Sequence, residues 1–335
     1  MRAIARPSRD IRDDSGEPTG GRRKGRSPAG AIQKIARHWQ LYLVIVPPTA
    51  FLIAFHYFPM LGAQIAFRDY SPVLGMWRSP WVGMKEFTYL FASPFFWPII
   101  RNTLSITIYY LIVGTAANIF LALALNEVKH ERFKRIVQMV TYAPYFISVV
   151  VLVGIMQIIL SPNTGLLGQI FTLLGSNNPP DILGQPGAFP SLYVWSGVWQ
   201  ETGYGAVIYL AALSNVNPEL YEAAKMDGAN RIQKIWHIDL PSIRPTISVL
   251  FILAMGNVLG AGGALSAAFQ KAYLLQNPLN LSRSEIIATY VYKIGLLNAN
   301  FSFAGAVGLF NSLVGLLLIL GSNSVARRFF NEGLF

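Results

Sequence analysis

The sequence predicts an all-helical integral membrane domain of six spans, preceded by a polar, basic tail. Three observations predict it. Hydrophobic residues make up 53% of the 335 residues and charged residues only 13%, about half of what a soluble domain carries. Several apolar stretches reach the roughly 20 residues that a bilayer crossing needs. The 27 Lys and Arg outnumber the 16 Asp and Glu and gather between those stretches, as membrane topology requires. The same composition excludes a largely disordered chain, and the absence of cysteine excludes disulfides and thiolate metal sites.

The tail, residues 1–40, holds ten of the basic residues. Its Gly, Pro and Arg content predicts disorder beside the anionic inner leaflet, not a nucleic-acid arm. No signal-peptide run precedes the first span, so no cleavage is expected. Gly20 to Ser27 spell G-x-x-x-x-G-R-S. Arg26 stands where a phosphate loop needs Lys, and no strand precedes it, so no nucleotide site is read here.

The spans are read at 41–66, 103–126, 136–160, 191–213, 246–268 and 302–324, giving one six-span membrane domain over 41–335. Pro47-Pro48 predicts a kink in the first. The fourth carries one acid, Glu201. With six spans, residues 1–40, 127–135, 214–245 and the C-terminal tail share one side and hold 20 Lys and Arg against seven on the other. The positive-inside rule places that side, and both termini, in the cytoplasm.

The 214–245 loop has a shape of its own. Asn217 is an N-cap, Pro218 suits the first helical position, and Glu219 favours the positive end of the helix dipole. Glu222 and Lys225 are spaced to pair. Gly228 fits the C′ position, which needs positive φ. A second helical stretch runs from about Asn230 to Trp236, and Leu240-Pro241 ends the excursion before the fifth span. A helix this short needs a surface to pack on, either its own spans or a groove on a separate protein.

Glu222-Ala223-Ala224, Asp227-Gly228 and, nine residues on, Ile238-x-Leu240-Pro241 resemble the EAA loop of ABC importer permeases. Phe58-Pro-Met-Leu-Gly, Ala66-Phe-Arg-Asp-Tyr70, Ser79-Pro-Trp-Val-Gly83, Asn102-Thr103, Gly262-Gly263 and Ala306-Val-Gly-Leu-Phe-Asn-Ser312 resemble the polysaccharide-type, LplB-like branch. The branch usually has Gly-Phe, an acid and Gln where this chain has Ala268-Phe269-Gln270-Lys271. The resemblance covers roughly 38–335. It implies a type I permease fold in a bacterial inner membrane, with alternating access. It also implies an external solute-binding protein, a second permease subunit and a separate ATPase subunit that binds the ATP and Mg. Coupling would run through Glu222, Ala223, Ala224, Asp227, Gly228, Leu240 and Pro241. This chain would itself bind no cofactor or metal and catalyse nothing.

Polar residues within spans mark a path, because they are costly against lipid. Glu201 and Asn257 are such residues. Trp199 and Tyr204 offer faces for a pyranose ring. Gln270 and Lys271 stand at the outer end of the fifth span, among external charges that sum to a positive value and favour an anionic saccharide such as a uronate oligomer. Gly256 and Gly260 read as close helix packing. The alternative is a transporter driven by an ion gradient, which typically needs more intramembrane acids or repeat symmetry. A membrane enzyme finds no His, Asp and Glu cluster to work with.

Overall fold

The computed structural model describes residues 39–175, 178–259 and 266–330. The basic tail up to residue 38, with Gly20 to Ser27, lies outside the described residues, as do Gly260 and Gly262-Gly263. Among those described, helices make the fold, and β structure is confined to one bridge between Arg68 and Trp81. Four helices are long and apolar enough to cross a membrane: Trp39–Phe67, Phe96–Glu127, Arg231–Gly256 and Phe301–Arg328.

The chain divides into two units after Leu61. In the first, α-helix Trp39–Leu52 runs through Pro47 and Pro48 and widens into a π-turn at Ile53–Tyr57. The helix is continuous through both prolines. The change of register comes five residues later.

In the second unit the central pair is Phe96–Glu127 with Phe189–Leu213. The latter covers 191–213, where a fourth span is expected. Its 25 residues extend about 37 Å, but its polar stretch Trp199 to Tyr204 keeps it from the most apolar set. Ile106, Val153, Tyr193, Val194 and Leu275 form one core between these helices and their neighbours.

The third predicted span, 136–160, is not one straight helix. Glu131–Phe146 and Val149–Leu160 meet at 95°. Pro144 tightens the first piece into a 3₁₀ turn, and Ser148 caps the second, its Oγ accepting from the Val151 amide at 3.3 Å. The carbonyl that the bend exposes at Ile147 accepts from Gln200 Nε2 at 2.7 Å. Gly203, one turn on, lets the Thr141 backbone approach so closely that a Cβ there would stand 2.0 Å from its oxygen.

The fifth span is also placed differently from its expected 246–268. Helix begins at Arg231, passes a π-turn at Ile235–Asp239, and ends at Gly256. Pro241 does not end the excursion. It occupies the first turn of Leu240–Gly256, where its missing N–H costs little. A separate helix, Ala267–Leu275, is capped by Ser266. Gly256 packs on Leu240–Gly256's neighbour, the final helix: a Cβ on Gly256 would stand 2.6 Å from Ile319, and one on Gly315 would stand 2.9 Å from the Gly256 carbonyl. This is the close packing expected of small residues. Elsewhere, Asn102 Nδ2 donates to the carbonyls of Ser282 and Glu285, and Thr103 Oγ1 accepts from the Ile287 amide at 2.9 Å. These bonds tie the second predicted span to the loop before the last helix.

Candidate functional site

Two regions of the second unit bring the expected residues together. The first is the loop. Helix Pro218–Met226 starts at Asn217, whose side chain accepts from the Glu219 amide, and turns at Gly228 with φ +74°. That angle is strained for any residue with a Cβ. Arg231–Lys234 follows with a reciprocal capping box between Asn230 and Gln233. Glu222 and Lys225 do not pair. Among the described residues the ion pairs are Glu127 with Arg231 at 3.9 Å and with Lys234 at 3.2 Å, and Glu285 with Lys293 at 2.8 Å. The bases thus bind the end of Phe96–Glu127 and hold the second short helix to the domain.

Tyr221 Oη donates to Asp239 Oδ1 at 2.5 Å and fastens the first short helix. Asp239 is fully buried and its Oδ2 has no partner. Glu222, Ala223, Asp227 and Gly228 are exposed, Ala224 and Leu240 less so. Pro241 lies at the base of the loop, in the first turn of Leu240–Gly256. Beside them stand Met226, Ile232 and Trp236, each at least 65% exposed. An apolar patch on a charged loop is the usual mark of a docking surface.

The second region is a pair of cavities, about 210 Å³ and about 460 Å³, that share Thr107, Tyr110, Glu201 and Asn257 in their walls. Glu201 and Tyr204, three residues apart, face the larger one together. Tyr110 Oη donates to Glu201 Oε2. Tyr204 stacks on Tyr145, ring centroids 4.1 Å apart. Asn257 Nδ2 donates to the Leu253 carbonyl at 3.2 Å.

Lys271 lines the smaller cavity. It is 5% exposed, with Nζ 4.8 Å from the Tyr193 ring centroid. It is therefore a buried cation and not one of the outer charges, because the fifth helix ends early and Ala267–Leu275 folds inward against Val149–Leu160. Gly197 makes room for it: a Cβ there would lie 2.8 Å from the Tyr110 ring and 2.9 Å from Lys271 Nζ.

Two expected residues stand apart. Trp199 lines a different cavity, with Phe120 and Thr141, since two residues from Glu201 is the opposite side of a helix. It cannot share a sugar ring with Tyr204. Gln270 lines neither cavity. Sequence reading missed Thr107, Tyr110 and Tyr193. A tyrosine in a span reads as an interface aromatic, and the signal that separates Tyr110 is Thr107 one turn before it. No group of three or more His, Asp and Glu able to hold a metal occurs among the described residues.

Comparisons with known proteins place this arrangement. Residues 114–332 match the model of the binding-protein-dependent transport system inner membrane component family. Protein LplB of Bacillus subtilis (strain 168) is 42% identical over 88% of this chain and 91% of its own length. The polygalacturonan/rhamnogalacturonan transport system permease protein YteP of the same organism is 41% identical over 90% and 92%. A solved chain from a bacterial ABC transporter involved in the import of the acidic polysaccharide alginate superposes with a TM-score of 0.81 at 36% identity. It covers 90% of this chain and 99% of that one.

Proposed function

This chain belongs to the binding-protein-dependent transport system inner membrane components, as an ABC importer permease of the carbohydrate branch, and from that premise we propose how it works. It carries oligo- or polysaccharides delivered by an external binding protein. It pairs with a second permease subunit and is driven by a separate ATPase subunit that holds the ATP and Mg. Both termini face the cytoplasm, where the basic segments lie. Six crossings are made by the four long apolar helices, the bent pair Glu131–Phe146 with Val149–Leu160, and Phe189–Leu213. The domain spans 41–335 behind the basic tail 1–40. Glu201, Tyr204, Asn257 and Lys271 line the path.

The observation that carries the coupling role is the exposed loop from Asn217 to Asp239. Its two short helices are pinned at their base by Tyr221 and Lys234 and present Glu222, Ala223 and Met226 outward. Small residues at Ala223 and Ala224 admit a close-fitting cleft, and Glu222 offers it a polar contact. Motion of the ATPase subunit then reaches the spans through Asp239 and the helix that continues from it, giving alternating access.

Gly228→Val tests this. A β-branched residue at φ +74° costs about 1–2 kcal/mol, enough to depopulate the docked turn roughly tenfold. Uptake by the assembled transporter is expected to fall about tenfold, with ATP hydrolysis no longer tracking it. Wild-type uptake in the variant removes the coupling role. Uptake that persists with the ATPase subunit absent favours the ion-gradient alternative and overturns the reading.

A further inference from the structure

Lys271 is more than one polar residue among others in the cavity wall. It is 95% removed from solvent, its ammonium lies over the Tyr193 ring, and it lines the cavity that Glu201 also lines. Among the described residues it has no ion pair and no hydrogen bond. Glu201 does not supply the partner. Its carboxylate accepts from Tyr110 and stays outside ion-pair distance. The Glu201 charge favours this ammonium without offsetting its burial, so it remains costly, and intramembrane charges of this kind mark ligand paths. Gly197 keeps the approach to Nζ open where any side chain would crowd it.

We propose that Lys271 determines specificity for a carboxylate-bearing saccharide, a uronate oligomer, by binding one of its carboxylates in the cavity. The inference rests on the saccharide-permease reading above and names the substrate class of that same site. A uronate unit fits both ends of the wall. Its carboxylate meets the ammonium in a charge-assisted hydrogen bond. Its hydroxyls donate to Glu201, which repels a second carboxylate and so fixes the direction of the ring. The Tyr193 face already favours a cation beside it. A neutral sugar satisfies Glu201 and leaves Lys271 as costly as before.

The test is equilibrium binding of labelled tetragalacturonate and labelled maltotetraose to the purified permease–ATPase complex, with the external binding protein left out so that its own selectivity does not enter. The wild-type complex is expected to prefer the uronate about tenfold or more, the scale of a hydrogen bond to a charged group. Lys271→Gln brings the ratio close to one. Lys271→Met, unbranched and of similar length, covers the case in which glutamine does not assemble. Lys271→Arg keeps the charge and the preference. Arg78→Gln, an exposed base outside the cavity, keeps the wild-type ratio. Equal binding of the two oligomers by the wild type, or an unchanged ratio in both neutral variants, overturns the inference. Binding of the neutral oligomer alone also overturns it and leaves the saccharide-permease reading standing. That reading fails separately, through uptake that needs no ATPase subunit.

Discussion

Replacing Gly203 by valine is expected to destabilise the membrane domain by about 3 kcal/mol, the upper end of ordinary overpacking costs. The clash is with backbone. A Cβ at Gly203 would stand 2.0 Å from the Thr141 carbonyl oxygen and 2.4 Å from its carbon, and neither can rotate away as a side chain would. Relief requires the Glu131–Tyr142 helix to move off Phe189–Leu213. That movement also stretches the bond from Gln200 Nε2 to the Ile147 carbonyl at the bend, now 2.7 Å. Steric strain and a lost buried hydrogen bond therefore add. Thermal unfolding of the purified transporter in detergent reads the result. Gly187→Ala, where a Cβ meets nothing within 4 Å, serves as the control. Equal midpoints for Gly203→Val and the control would mean that the two helices do not pack as described.

Tyr221→Phe is expected to weaken coupling by a comparable amount, through charge and not shape. The phenol is the only donor to a carboxylate that is fully buried among the described residues. Its loss costs about 1.5–3 kcal/mol, the range for hydrogen bonds to charged groups. The helix Pro218–Met226 then loses its attachment to the base of Leu240–Gly256. Uptake per ATP hydrolysed should drop about tenfold, while Tyr221→Phe combined with Asp239→Leu should be less harmful than the two effects summed, since the stranded charge is gone. Strict additivity would show that the two residues do not interact. Burial, reinforced by the hydrogen bond to Asp239 and its charge, pushes the Tyr221 phenol from 10.0 up to about 12. Because the folded value is raised, this contact's contribution is complete below pH 10 and is lost as the pH climbs toward 12. Physiological pH changes leave it intact.

The loop was legible residue by residue because its information is local. Asn217, Pro218 and Gly228 act through capping and φ preferences within a few neighbours and take the predicted roles, and Asn230 caps the second stretch at its expected start. Glu222 with Lys225 is the exception. Spacing permits that pair, but the nearby bases bind Glu127, about 100 residues earlier in the chain. The spans were legible as apolar stretches and less so in their ends. Pro144 and Ser148 carry enough signal for a break inside the third, yet a uniformly apolar run hides it. The fifth helix starts 15 residues early because the π-turn at Ile235–Asp239 carries it past Pro241, which opens the regular α-helical part.

The sequence by itself determined that this chain is helical and apolar enough to cross a membrane, with two short capped helices turning at Gly228, because apolar length and capping are properties of contiguous residues. The tertiary structure decided which polar residues share a cavity. Trp199 and Glu201 are neighbours in sequence and face opposite sides of one helix. Tyr110, Glu201 and Lys271 are far apart in sequence and meet across three helices. Lys271 moved from the list of outer charges to a buried site for the same reason: helical phase and the early end of the fifth helix set its surroundings, and neither is written in its own position.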